Sequence, residues 1–205
     1  MNIRKAAVLT TLLVCGFVSS VGAAIIVDTG PGPSHIGGYY LDDQQYIGAE
    51  FSLMNDTKIT DIYGWISPVS LDGSTGHTGH IGIYTDGGDV PSTELYSDQF
   101  TVEKTLVNDW YGLNNLTWLL DAGSYWVTFE VRPGDTLDAF MPFPSISPLI
   151  NTAHFKEFNG QWMPADDWDI GVRILGNPVP EPSTFLLLGG GLAGLAFYAR
   201  RRRKE

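Results

Sequence analysis

Two histidines three residues apart, His77 and His80, stand in the run Gly73-Ser74-Thr75-Gly76-His77-Thr78-Gly79-His80. Imidazoles at that spacing could ligate zinc if Asp72 or Asp86 completed the shell. The helical H-E-x-x-H arrangement is absent and glycines surround the pair, so the expectation is a solvent-exposed, metal-free loop. Asp86, Asp89, Asp166, Asp167 and Asp169 offer the hard oxygen ligands that calcium takes, with Asp86 and Asp89 as the candidate pair. None has EF-hand spacing, and aspartates gather in turns for backbone reasons alone, so solvated turns are expected there. Six tryptophans, Trp65, Trp110, Trp118, Trp126, Trp162 and Trp168, could include an exposed platform for sugar rings, although aromatic side chains mostly fill cores. Nucleophilic chemistry lacks an anchor: there is no G-x-S-x-G, no P-loop and only one cysteine, Cys15. Nothing singles out a glycosidase pair among the acids. The expectation is a chain without catalytic residues and without a cofactor.

The elements that would carry these residues read as short strands. Ala49, Phe51 and Leu53 alternate with Glu50 and Ser52, and Ile59 to Ile66 is rich in β-branched and aromatic residues. Ile81 and Ile83 alternate before the turn cluster Asp86-Gly87-Gly88-Asp89. Tyr125, Val127, Phe129 and Val131 alternate with Trp126, Thr128 and Glu130, after which Arg132-Pro133-Gly134-Asp135 turns the chain. That alternation puts Trp126 on an outer face, where it is expected to be exposed. Ile170, Val172 and Ile174 make a last strand. Long helical periodicity is missing. Together these features predict an all-β, antiparallel sandwich of roughly eight strands, jelly-roll-like, over residues 24–177.

The two ends differ from this body. Arg4 and Lys5 precede the apolar, uncharged run Ala6 to Val18, and Val21-Gly22-Ala23-Ala24 supplies small residues. That order predicts a secretory signal peptide over residues 1–23, cleaved after Ala23 or Ala24. Its removal would take Cys15 with it, leaving no disulfide and no thiolate. Seven of the 12 lysines and arginines lie in the two terminal segments, whereas only Glu181 and Glu205 of the 23 acids do. The body therefore carries 21 acids against Lys58, Lys104, Arg132, Lys156 and Arg173. Such a surface repels phosphate backbones, which excludes nucleic acid as a partner.

At the other end, Asn177-Pro178-Val179-Pro180-Glu181-Pro182-Ser183 reads as an extended spacer, because proline cannot continue a strand or start deep inside a helix. Thr184 to Ala199 follows without a charge, then Arg200-Arg201-Arg202-Arg203-Lys204. The predicted element is a transmembrane helix over 184–199, with the basic cluster Arg200, Arg201, Arg202 and Arg203 held on the cytoplasmic side and the body outside. Gly189-x-Gly191-x-x-Gly194 matches a dinucleotide fingerprint only by letter, since no strand precedes it. Gly190-x-x-x-Gly194 is a weak helix-packing pattern.

Val179-Pro180-Glu181-Pro182-Ser183, a short glycine-rich apolar helix and an arginine cluster, in that order, resemble a PEP-CTERM sorting signal. The resemblance spans about Pro178 to Lys204. It implies that an exosortase, a membrane cysteine protease, is the partner, and that Pro180, Glu181 and Pro182 are the recognition residues. It also implies a bacterial surface protein in a biofilm or exopolysaccharide setting. The body is similar to extracellular β-sandwich domains that accompany this tail. Three functions follow as expectations: a non-enzymatic surface or matrix protein, a carbohydrate-binding module for exopolysaccharide, or a hydrolase with an unrecognised site.

Overall fold

The computed structural model describes residues 23–33, 37–69, 76–102, 107–144, 151–156, 160–165, 168–180 and 182–202. The expected signal peptide lies outside them apart from Ala23, as do Asp72, Asp166, Asp167, Glu181 and Arg203. Thirteen strands form among the described residues: β1 (Ala24–Asp28), β2 (Tyr39–Leu41), β3 (Gln45–Leu53), β4 (Thr57–Pro68), β5 (His77–Asp86), β6 (Pro91–Val102), β7 (Asp109–Leu113), β8 (Trp118–Leu120), β9 (Gly123–Glu130), β10 (Ala139–Met141), β11 (Thr152–Lys156), β12 (Gln161–Pro164) and β13 (Val172–Pro178). One helix follows, α1 (Pro182–Arg202).

Every pairing is antiparallel, and neither sheet closes into a barrel. The seven-stranded sheet is organised around β4. It receives β13 along one edge, β7 and β8 in succession along the other, and β10 at its far end. The six-stranded sheet runs β12-β11-β3-β9-β5-β6. The chain passes from β3 in one sheet to β4 in the other, and back to β5. The strands read from alternation are all present. The additional ones are mostly three to five residues long, too short to show a period, as β2, β8 and β10 illustrate.

The core lies between the sheets. Ile62, Ile66, Val172 and Ile174 face Ile47, Ala49, Phe51, Ile81, Ile83, Val127 and Phe129, and all are buried. Gly64 in β4 makes this contact possible. A Cβ there would lie 2.6 Å from the Phe129 ring carbon of the opposite sheet. A buried phenylalanine contributes about 3 kcal/mol of transfer free energy, so a side chain at position 64 would forfeit one of the core's largest contributions.

The outer face of the six-stranded sheet is not the polar surface that alternation predicts. Pro91 on β6 comes within 3.5 Å of a Cβ built on Gly48 of β3, although two strands separate them. Flat strands three positions apart would stand about 14 Å apart. The sheet therefore curls, helped by register shifts between β5 and β6 at Ile83/Tyr84 and Tyr84/Asp86. Trp126 is on the outer face, as its alternation requires, but it is fully buried under this curl. The expectation that it is exposed is corrected: alternation fixes the face of a strand, and curvature decides whether water reaches it.

Candidate functional site

The tail joins the body through β13. Its ladder with β4 has a bulge at which Leu175 faces Asp61 and Gly176 faces Ile59, leaving Thr60 as the extra residue. Beyond it, Asn177 pairs with Lys58 and Pro178 with Thr57. The Val179 N–H then donates to the Asp56 carbonyl at 2.7 Å. The Asp56 carboxylate accepts the Ala122 N–H at 3.0 Å, and the Thr57 hydroxyl donates to the Asn55 carbonyl at 2.7 Å. The β3–β4 turn, the β8–β9 turn and the tail are thus tied at one end of the sandwich. β1 starts at the same end, with Ala24 opposite Gly176.

The proline-rich segment is shorter than the extended spacer predicted from sequence. Asn177 and Pro178 belong to β13, and Pro182 and Ser183 to α1. Proline is tolerated at a strand's terminal rung and at the first helical position, because both places dispense with its missing N–H. Arg200, Arg201 and Arg202 occupy the last turn of α1, where the helix dipole favours positive charge. The helix is longer than the predicted 184–199, yet no helix among the described residues is long and apolar enough to cross a membrane. The transmembrane helix expected over 184–199 is therefore not confirmed by α1. The uncharged stretch is 16 residues against the usual ~20, and Gly189, Gly190, Gly191 and Gly194 add little apolar surface. Positions 190 and 194 have no neighbouring atoms within 4 Å of a built Cβ.

His77 and His80 are not on a loop. Both lie on β5, where His77 is buried and its Nδ1 lies 2.8 Å from the Thr136 carbonyl. His80 Nδ1 sits 2.7 Å from Asp135 Oδ2. Extended residues three apart project to opposite faces, so the pair does not converge on one ion. Asp86 accepts the Trp126 indole N–H at 3.0 Å and the Gly88 N–H at 3.0 Å. Asp89 holds the left-handed conformation of the turn, with φ 65°. Among the described residues no group of three or more His, Cys, Asp or Glu is arranged to hold a metal ion.

Sequence reading missed the network around Arg132. Its Nε donates to Glu130 at 2.7 Å and its Nη2 to Glu94 at 2.9 Å, while Nη1 reaches Ser97 at 3.2 Å. Tyr84 donates to Glu94 at 3.0 Å, Ser97 also donates to Glu94, and Thr128 donates to the buried Glu130 at 2.6 Å. Burial opposes the charge of Glu94, but hydrogen bonds from Ser97 and Tyr84 and the Arg132 charge outweigh it and lower its pKa. Burial, with Glu130 and Glu94, raises that of Tyr84. Asp135 is held the same way. Its fully buried side chain accepts from the Arg132 N–H at 2.8 Å and Gln99 Nε2 at 2.9 Å, in addition to His80. Burial works against its charge, and these bonds overcome that and lower its pKa. Asp135 also lines a cavity of about 400 Å³ with Asp42, Asp43, Asp138 and Tyr40, at the end opposite the tail.

On the outer face of the seven-stranded sheet, Trp65 and Trp110 meet edge to face with centroids 5.4 Å apart. The Arg173 guanidinium lies 4.3 Å over the Trp110 ring and is held by Asp28 at 3.0 Å. Tyr63 adjoins them in the row Arg173–Tyr63–Gly112. Trp65, Trp110, Tyr63 and Arg173 are all partly exposed, making a patch of three aromatic side chains with one cation.

Residues 178–203 match the PEP-CTERM protein-sorting motif. The match includes Pro180, Glu181 and Pro182 and opens on the last residue of β13. This motif implies export, a membrane-anchored sorting signal at the C-terminus and processing by an exosortase. No curated protein matches the chain.

Proposed function

We propose that this chain is a non-enzymatic surface or extracellular-matrix protein, which an exosortase sorts through its tail so that an acidic β-sandwich is presented outside the cell. The observation that carries the reading is the sorting motif at residues 178–203, continuous with the last strand of a thirteen-strand body. A biofilm or exopolysaccharide setting fits the charge of that body, which keeps it soluble and away from anionic polymers with phosphate backbones. Pro180, Glu181 and Pro182 act as the recognition element, and α1 with its terminal arginines as the anchor before processing. Fractionation of cells expressing Glu181→Ala tests this. The variant is expected to accumulate unprocessed in the membrane, and wild-type sorting of the variant would contradict it. Turnover of a glycoside or ester by the purified body would contradict the non-enzymatic part.

The patch of Trp65, Trp110 and Arg173 supports a second reading, a carbohydrate-binding role. Partly exposed aromatic rings offer apolar surface to sugars, and Arg173 over one face of Trp110, together with Asp28 and Tyr63 beside it, supplies polar groups. Trp110→Ala should weaken retention on the producing cell's polysaccharide about ten-fold, as loss of a 1.4 kcal/mol contact would. Equal retention of wild type and variant would remove the reading.

A further inference from the structure

We infer that the processing enzyme takes hold of the end of β13 as well as the Pro-Glu-Pro element: Asn177, Pro178 and Val179 leave β4 when the tail is engaged. This rests on the proposed exosortase reading and concerns how that enzyme gains access. The sorting motif begins at Pro178, and Pro178 is a rung of the sheet opposite Thr57. Val179 is still bonded to Asp56, and α1 begins at Pro182. Only Pro180 and Glu181 separate the last bonded residue from the first helical one. Two residues span about 7 Å at full extension. A groove that binds peptide in extended form pairs with the backbone over several residues, so the two residues between Val179 and Pro182 are too few.

Three features make the end of β13 the part that yields. Among the described residues β1 pairs with β13 no further than Gly176, and Asn177 to Val179 are held only along the β4 edge. The bulge at Thr60 separates these residues and the Gly176–Ile59 rung from the regular ladder, so the last rungs of β13 stand apart from the rest. Pro178 has no N–H to give, and the buried side-chain oxygen of Asn177 has no hydrogen-bond partner among the described residues. Upstream, Gly176 fits tightly. A Cβ there would lie 2.7 Å from Ile26 and 2.8 Å from the Lys58 carbonyl. The tight position holds the ladder while the three residues beyond it open, a local event of the kind that governs cleavage of folded chains.

A removable clamp tests this in cells that process the wild-type chain. Lys58→Cys with Asn177→Cys places a disulfide across the rung that must open. With the disulfide formed, processing in pulse–chase is expected to fall at least ten-fold and to return on reduction, while each single cysteine behaves as wild type. A four-residue Gly-Ser insertion between Val179 and Pro180 of the clamped chain is expected to restore processing, because it supplies extended residues without opening the sheet. Normal processing of the clamped chain would overturn the inference, and so would a block that the insertion does not relieve. Glu181→Ala separates this from the reading beneath it. If that variant is processed like the wild type, the exosortase assignment fails, and the inference falls with it.

Discussion

The two ends of the sandwich are fastened by different forces. At the tail end, the β3–β4 turn, the β8–β9 turn and the start of the sorting motif are joined by uncharged donors, mostly backbone N–H groups, such as Val179 N–H to the Asp56 carbonyl. Towards the other end, charge does the fastening: Arg132 with Glu130 and Glu94, and Asp135 with His80 and Gln99. A backbone bond contributes on the order of 1 kcal/mol net and is nearly indifferent to pH. A buried ion pair is costly to break and titrates. The difference teaches that one end of this protein is built to stay shut, and the other is held by contacts that open singly.

The largest expected effect lies at the charged end. Arg132→Met strands the buried Glu130 carboxylate and should destabilise the fold by about 3 kcal/mol, the lower part of the range for breaking a buried pair, because the arginine is itself one-quarter exposed. Asp56→Ala at the tail end removes one acceptor and should cost about 1 kcal/mol. Urea denaturation of both variants compares the ends directly, and equal losses would erase the contrast.

The next effect is that of acid. Glu94 and Asp135 have folded pKa values below the ordinary 4.5 and 3.8. Their contribution is complete above those ordinary values and is lost as pH falls through the depressed folded ones. Hydrogen exchange at pH 5 and pH 3 should show protection falling first in β5, β6 and β9 near Arg132, with the Val179 amide little changed. Loss at both ends together would show that the charge network is not local. The smallest effect belongs to His154. Burial, then the Lys156 charge, lowers its pKa below 6.5, so the unfolded chain takes up a proton before the folded one does. Stability should decline slightly as pH falls below about 6.5, and His154→Phe, which keeps the ring stacked on Trp168, should flatten that slope in thermal melts between pH 7 and 5.

The contrast also explains what the sequence made legible. Strands β3, β4, β5, β9 and β13 were readable because apolar residues alternate along the face each turns to the core, even where, as in β9, the other face is buried too. The sorting tail was readable because proline, glycine and arginine act locally. Trp126 was assigned to the correct face and the wrong environment, because a curled sheet is a non-local property that Gly48 and Pro91 create together. His77 and His80 looked like loop residues because glycine on every side hid a strand. Arg132 gave no signal at all. Its partners Glu94, Ser97 and Tyr84 lie 38, 35 and 48 residues away in the chain. Only the register of β5, β6 and β9 brings them together.

The antiparallel pairing of β1 with β13, Ala24 opposite Gly176, gives the body a mechanical polarity. A drag applied at the far end of the sandwich and resisted at the tail pulls β13 along its own length. Its rungs to β1 and β4 then share the load in shear. A pull between Ala24 and the tail acts across the pair instead and unzips it one rung at a time. The same strand is therefore stiff towards traction on the body and soft towards separation of Ala24 from the tail.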